Sequence, residues 1–513
     1  MRLWALFLVF LAPAYVLCIP VKAAEIYHDE DIDARLDNTV RYSVAFRLPP
    51  RDAALIADPN ADDGDRNFRP GLISNRVDIL SEFDASRNGF GVRVSAAAWL
   101  DTVYREPNDN DSAATLNLIS SRHDEFASDV RSLHGGTVQL SDAFIHGVFD
   151  AGGLPISFRI GRHVVLWGES LFFAENGIAA GQAPIDVIKD LGAPDVEAKE
   201  VFLPVWQASS VVELRPNVAL KLYYQFEGRK DQLPGTGSYF SAEDFIGAGA
   251  QAYFFAPGQV LTRAQDLRPR GSGQYGIGLE VSTSAFTYGL YALVFNAKEP
   301  QTYLGPDVGT YQLVYPAGIE IYGASFSTSF GESTIAAEIS GRRNMPLVST
   351  TLIAPPSLSV VDSEHPLYAI GDTLQGQLST VTTFAGNALW ARAEFKEELA
   401  FNERLAITRN LDAFERGRTS FAAEYQASFE PEYFEILPAL DLSVPLGFTY
   451  AFAGESSSDD AENAGTGSIE IGLSAVYRSV WKSHIGLTYF IGSAAKQSLA
   501  DRDFVSLSVE RTF

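Results

Sequence analysis

The sequence predicts a single all-β domain, a transmembrane antiparallel β-barrel of about eighteen strands, or sixteen, with long outer loops of which at least one folds inward. Three observations predict it. The chain ends in Asp501-Arg-Asp-Phe-Val-Ser-Leu-Ser-Val-Glu-Arg-Thr-Phe513, where Val505, Leu507 and Val509 share one face and Ser506, Ser508 and Glu510 share the other. Alternation with period two gives a strand one side for hydrocarbon and one for water, and the terminal aromatic suits a membrane interface. An apolar export segment stands at the front, and no later run is long enough to cross a bilayer core of ~30 Å as a helix. The connectors between alternating stretches are long and short in turn, as outer loops and periplasmic turns are.

Residues 1–23 read as a signal peptide: Arg2 is the positive start, Leu3 to Ile19 is nearly all apolar, and Val21-Lys22-Ala23-Ala24 supplies small residues for cleavage. Cys18 lies within this segment, so the mature chain, residues 24–513, is expected to have no thiol and no disulfide. Phe 34, Tyr 21 and Gly 42 combine with a mean hydropathy of zero, as expected when half of each strand faces lipid and half faces water. The formal charge of −25 becomes −27 when Arg2 and Lys22 leave with the signal. That balance excludes a nucleic-acid partner, which needs a basic footprint. It suits a lipopolysaccharide-covered outer membrane only if divalent cations screen the repulsion.

Strands are expected near 38–47, 72–83, 89–101, 138–149, 156–167, 205–214, 218–228, 274–283, 286–296, 318–328, 332–342, 376–384, 388–398, 419–429, 436–452, 467–479, 482–492 and 503–513. An even number places both termini in the periplasm. The two-faced pattern is clear where Leu220, Leu222, Tyr224 and Phe226 oppose Lys221, Tyr223, Gln225 and Glu227, and where Ile469, Ile471 and Leu473 oppose Glu470 and Ser474. Arg93, Lys221, Glu227, Glu280, Glu338, Arg392, Glu394, Lys396, Glu470 and Arg478 fall toward the lumen, so neither sign of charge dominates it.

The most distinctive stretch is Phe158-Arg-Ile-Gly-Arg-His-Val-Val-Leu-Trp-Gly-Glu-Ser170. Strict alternation puts Arg162 on the lipid face, at ~2–4 kcal/mol if at mid-depth. A bulge at Gly161 that turns Arg162 into the lumen is therefore expected. Arg162, His163, Trp167, Glu169, Glu197 and Glu200 become the candidate lumen or plug residues, which either pin an inward loop to the wall or touch a solute. In the connector 229–273, Tyr239, Phe240, Phe245, Tyr253, Phe254 and Phe255 form a candidate apolar mouth, with an interfacial girdle or loop packing as the plainer reading. Asp58-Pro-Asn-Ala-Asp-Asp-Gly-Asp65 spaces oxygens as a calcium loop does, but its glycine is one residue late and Arg69 stands where the bidentate glutamate belongs. It and Asn108-Asp-Asn-Asp111 are expected to be solvated outer loops, with weak divalent-cation binding as the alternative. The seven histidines lack metal-ligand spacing and no nucleophile elbow or phosphate loop is present, so no catalytic, cofactor or metal residue is assigned. A triad assembled across strands is the remote hydrolase reading, and His163 beside Ser170 is its first candidate pair.

Five stretches carry a family resemblance: Leu36-Asp-Asn-Thr-Val-Arg-Tyr-Ser-Val-Ala-Phe-Arg47, Asp62-Asp-Gly-Asp-Arg-Asn-Phe68, Gly161-Arg-His-Val-Val-Leu-Trp-Gly-Glu169, Leu313-Val-Tyr-Pro316 leading to Gly323-Ala-Ser-Phe326, and Asp501-Arg-Asp-Phe-Val-Ser-Leu-Ser-Val509. In this order the chain resembles the domain-of-unknown-function 1302 family of Gram-negative outer-membrane proteins. The resemblance implies an outer-membrane barrel inserted by the barrel-assembly machinery. It also implies a lipoprotein-carrier-like periplasmic protein and a resistance-nodulation-division type permease as partners, in settings concerned with hydrophobic compounds. No catalytic residues come with it. The functional expectation is passage or export of small hydrophobic or amphipathic molecules, against a structural or adhesive surface barrel as the alternative. Arg511 departs from the apolar residue usual near the end of such chains.

Overall fold

The structure, a computed structural model, describes residues 24–28, 32–192, 201–268, 271–355 and 365–513. The expected signal peptide, Glu197 and Glu200 lie outside the described residues. Eighteen antiparallel strands close into a barrel. In chain order they are β1 (Ile32–Arg47), β2 (Gly71–Arg87), β3 (Phe90–Asp101), β4 (Thr137–Asp150), β5 (Pro155–His163), β6 (Val205–Arg215), β7 (Val218–Gln225), β8 (Gln274–Ser282), β9 (Phe286–Phe295), β10 (Ile319–Phe330), β11 (Ser333–Pro346), β12 (Ile370–Phe384), β13 (Arg392–Arg409), β14 (Phe421–Leu437), β15 (Leu440–Ser443 and Leu446–Ala453), β16 (Gly467–Tyr477), β17 (Trp481–Ile491) and β18 (Phe504–Thr512). Each pairs with its neighbour in sequence. The sheet closes where β18 meets β1 in register from Thr39 opposite Thr512 to Arg47 opposite Phe504. Phe513 completes the seam, exchanging both backbone hydrogen bonds with Asn38 at 2.8 Å.

The membrane-facing belt follows from this register. Leu222 lies beside Ile277, Leu279 beside Leu290, Ile469 beside Tyr489, and Ile485 beside Leu507, and all eight side chains are exposed. A contiguous apolar ring of this kind is stable only against hydrocarbon. Their sequence neighbours point inward, where Lys221 pairs with Glu280. Among the described residues no helix is long and apolar enough to cross a membrane.

Several strands run beyond their expected bounds, among them β1, β12 and β14, and three departures stand out. The stretch 436–452 is split between Ser443 and Leu446, because Pro445 has no N–H for the ladder; its carbonyl accepts from Gly472 N at 2.8 Å instead. β13 runs on to Arg409, well past the expected end at 398, its pairing with β12 shifted in register twice beyond Arg404. β5 stops at His163, four residues early, where the chain leaves the wall for the lumen.

All the long connectors emerge at one end. There, Leu352–Ile353, Gln301–Gly305, Thr310–Val314, Gln259–Arg263 and Ala252–Ala256 form a second, five-stranded sheet drawn from three connectors. Leu261, Leu304, Tyr311, Leu313 and Tyr315 make its apolar core. The outer end is therefore a packed cap rather than a set of free loops.

Candidate functional site

The connector after β5 turns into the barrel and lines much of its inner wall. Its first part is held by carboxylates on the lumen face of distant strands. Glu338 of β11 accepts from the backbone N–H of Glu169 at 2.6 Å and of Ile178 at 2.8 Å. Glu398 of β13 accepts from Leu171 at 3.0 Å, Phe172 at 2.6 Å and Phe173 at 2.9 Å. Arg342 of β11 donates to the carbonyls of Glu175 at 2.7 Å and Gly177 at 3.0 Å. Hydrogen bonds with an ionised partner are about twice as strong as neutral ones, so five of them to two carboxylates make a firm anchor.

Two glycines make the approach possible. A Cβ on Gly168 or Gly177 would collide with the Glu338 carboxylate. Trp167 packs edge-on to Tyr223 with ring centroids 5.0 Å apart, and Ile178, fully buried, sits in the cluster with Leu293 and Ile321 on the wall. The return limb is held by Gln225, whose amide donates to Gln182 O at 2.8 Å. The connector then passes to the other side of the lumen. There Ile188 and Lys189 line a small cavity of about 70 Å³ with Arg41, Arg76, Tyr104, Tyr239, Phe240 and Phe504, and the Lys189 ammonium lies 5.9 Å from the Trp99 ring centre.

The inward loop is thus present, but it is not fixed as the sequence reading supposed. The β4–β5 ladder runs in register through Gly161, opposite Phe144, with no bulge. Gly161 absorbs the local twist with φ +130°, a conformation that a side chain rarely adopts. Arg162 accordingly stays on the outer face, paired with the exposed Trp206, one residue from the strand end. An arginine at that height snorkels toward the interface. It does not meet Glu169, which lies near Ser327 and the Lys221–Glu280 pair. His163 does face inward, but its Nε2 is engaged with Ser209 Oγ at 2.8 Å and Nδ1 with Gly161 O at 3.1 Å, so Ser170 is not its partner. The residues that hold the loop, Glu338, Arg342 and Glu398, carried one legible signal: each falls on the lumen-facing register of its strand.

The six candidate mouth aromatics separate into two groups. Tyr239 and Phe240 pack with Phe68, Tyr104, Phe126 and Phe504 beneath the cap, and both line the small cavity. Phe245, Tyr253 and Phe255 pack against the core of the five-stranded sheet, and Phe254 bridges by its backbone to Asn60. The opening beside them is polar, a pocket of about 510 Å³ lined by Lys230, Asp231, Arg263 and Asp266 among others. The plainer reading, loop packing, describes most of this segment.

Of the two acidic runs read as solvated loops, the second is exposed at Asp109 and Asp111 as expected, whereas the heart of the first is buried. Asp62, Asp63 and Asp65 are at most 1% exposed, and Asn110 of the second run donates to Asp63 Oδ1 at 3.1 Å. Asp65 joins a four-charge cluster: its Oδ1 meets Arg47 Nη2 at 3.0 Å and Arg502 Nε at 2.7 Å, while Arg47 also reaches Asp501 at 2.7 Å. Three of the five stretches that carry the family resemblance converge here.

His134, in the connector between β3 and β4, is buried and stacked 4.7 Å from Tyr104, and its Nε2 accepts from Gly235 N at 3.0 Å. Burial, with Arg76 nearby, pushes its pKa down to about 3. An unfolded histidine titrates near 6.5. A depressed pKa means that its stabilisation is complete above about pH 6.5 and is lost as pH falls from there toward 3. Hydrogen-exchange protection of residues 128–136 and 233–250 is expected to fall over that window, and to fall less in a His134→Gln variant. Parallel profiles for the two proteins would contradict this.

The family described as "Protein of unknown function (DUF1302)" matches residues 4–513. No curated protein matches the chain. Among solved structures it is similar to OccAB1 of Acinetobacter baumannii, at 10% identity and TM-score 0.47, covering 96% of this chain and 98% of that one. It is also similar to OccAB4 of the same organism, at 11% identity and TM-score 0.44, covering 96% and 100%. Pseudomonas aeruginosa OpdK with vanillate is similar at 12% identity and TM-score 0.39, covering 94% and 98%.

Proposed function

Because the chain belongs to the DUF1302 family, for which no activity is established, its function has to be read from its own geometry, and we propose that it is an outer-membrane passage for small amphipathic molecules. The observation that carries this reading is the inward loop. A barrel that only displayed its loops would have no use for a segment anchored to Glu338 and Glu398 inside the lumen. A polar lumen narrowed by a fixed loop is a filter by size and chemistry. The solute class is read from the cavity where Tyr104, Tyr239, Phe240 and Phe504 stand beside Arg41, Arg76 and Lys189. Aromatic faces suit an apolar body, and the charged pairs Arg41–Glu510 and Arg76–Asp78 suit a polar head group.

The barrel has no energy source of its own, so direction would come from a periplasmic carrier protein and an inner-membrane permease of the kinds that the family resemblance implies. Uptake of a short-chain fatty acid and of an uncharged sugar of similar size into liposomes holding the purified barrel tests the proposal. Faster entry of the acid, reduced by Tyr239→Ala or Arg76→Gln, is expected. Liposomes that stay as tight as protein-free ones would leave only the display reading.

A further inference from the structure

Three buried carboxylates meet in the outer cap with too little positive charge between them. Asp62 and Asp63 open the short helix in the β1–β2 connector, and Asp244 belongs to the β7–β8 connector. None is more than 1% exposed, and each brings one oxygen within 4.8 Å of the others. Oxygens in one Ca²⁺ shell, each about 2.4 Å from the ion, lie no farther apart than about 4.8 Å, so this spacing is compatible with a shared ion.

The hydrogen bonds of the cluster leave specific atoms over. Asp63 is satisfied by Asn110 Nδ2 and by Asn117 N, each at 3.1 Å. Asp244 Oδ2 accepts from Asp63 N at 2.8 Å, and Asp62 Oδ2 accepts from Arg66. Asp62 Oδ1 and Asp244 Oδ1 have no aligned donor, although the Thr115 hydroxyl, which donates to Ser112 at 2.9 Å, is close enough to favour the charged Asp62. A third buried oxygen without a partner belongs to an uncharged residue: Oδ1 of Asn117, whose backbone N–H touches Asp63. Arg66 is shared with Asp111, while Arg47 and Arg502 are engaged by Asp65 and Asp501. Buried polar atoms almost always find partners, so two unpaired oxygens on converging carboxylates, with a third on Asn117 whose backbone meets Asp63, call for a cation.

We propose that this cluster is a calcium site, with Asp62, Asp63 and Asp244 as carboxylate ligands and Asn117 Oδ1 as a fourth oxygen. The ion would add a polar tie to the connectors β1–β2, β3–β4 and β7–β8, which already share the apolar cluster of Phe68, Tyr104 and Tyr239. Calcium fits better than magnesium because the donors are all oxygens drawn from irregular loops, and its coordination number and geometry are flexible.

The test is calorimetric titration of CaCl₂ into the full mature barrel in detergent after EDTA treatment. Wild type is expected to take up one ion per chain, and Asp244→Asn and Asp63→Asn to weaken that uptake at least tenfold. Proteolysis of the cap should slow with Ca²⁺ in wild type only. Asn117→Asp, which adds a charge to the ligand set, should bind at least as tightly as wild type, and it decides the matter if the other variants do not fold. No saturable binding by wild type, unchanged binding by Asp244→Asn, or loss of binding in a folded Asn117→Asp would overturn the proposal. Unchanged binding would assign the calcium to surface carboxylates.

Discussion

Replacing Glu398 with alanine is expected to loosen the inward loop and raise single-channel conductance several-fold, with added noise, while the barrel stays folded. Glu398 alone accepts three consecutive backbone N–H groups, from Leu171 to Phe173. Each buried donor left unpaired costs about 1–3 kcal/mol. Water entering the lumen recovers part of this, and Glu338 and Arg342 still hold residues 169 and 175–178, so the loosening centres on residues 170–174. Glu398→Gln retains one carbonyl acceptor and should fall between the two. The wall is untouched because its ladder hydrogen bonds do not involve this carboxylate. Planar-bilayer recording checks the claim, and identical traces for Glu398→Ala and wild type would sink it.

The second large effect is expected at the cap. Asp65→Ala leaves Arg47 and Arg502 facing each other with only Asp501 between them, in a site where both arginines are at most 2% exposed. Removing one partner of a buried ion network costs about 3–5 kcal/mol. The connectors 48–70, 226–273 and 492–503 all touch this cluster, the second through the carbonyls of Tyr239 and Ser241 that Arg502 engages. They should become open to protease added to intact cells, while the transmembrane part remains protected. Asp65→Asn retains an acceptor oxygen and should be milder. Equal protease resistance of Asp65→Ala and wild type would show that the cap is held elsewhere.

Much of the barrel was legible because strand alternation is local. A residue and its neighbours two apart decide which face is apolar, and short Gly- or Asn-bearing turns mark the reversals. All eighteen expected strands correspond to observed ones. The error at 436–452 came from reading through Val444-Pro445 on hydropathy alone, although a proline without an N–H was visible there. The lumen was legible only in outline. Alternation placed Glu338 inside, but that it would meet Glu169 and Ile178 depends on a contact spanning more than a hundred residues of chain. Arg162 was misplaced by weighing its cost at mid-depth, when it stands at the end of β5, where the cost is small. Asp62 to Asp65 were read as solvated because their composition is polar. Their burial depends on Arg47, Arg502, Asn110 and Asn117, which arrive from two other connectors and the last residue of β1.

The inward loop as the element that sets the passage is tested most directly by replacing residues 166–182 with a short Gly-Ser linker and measuring the size limit of neutral solutes in a liposome-swelling assay. Wild type should admit only small sugars, and the shortened protein should admit distinctly larger ones while retaining the heat-modifiable mobility of a folded barrel. An unchanged size limit in a folded, shortened barrel would contradict the loop's role as the constriction.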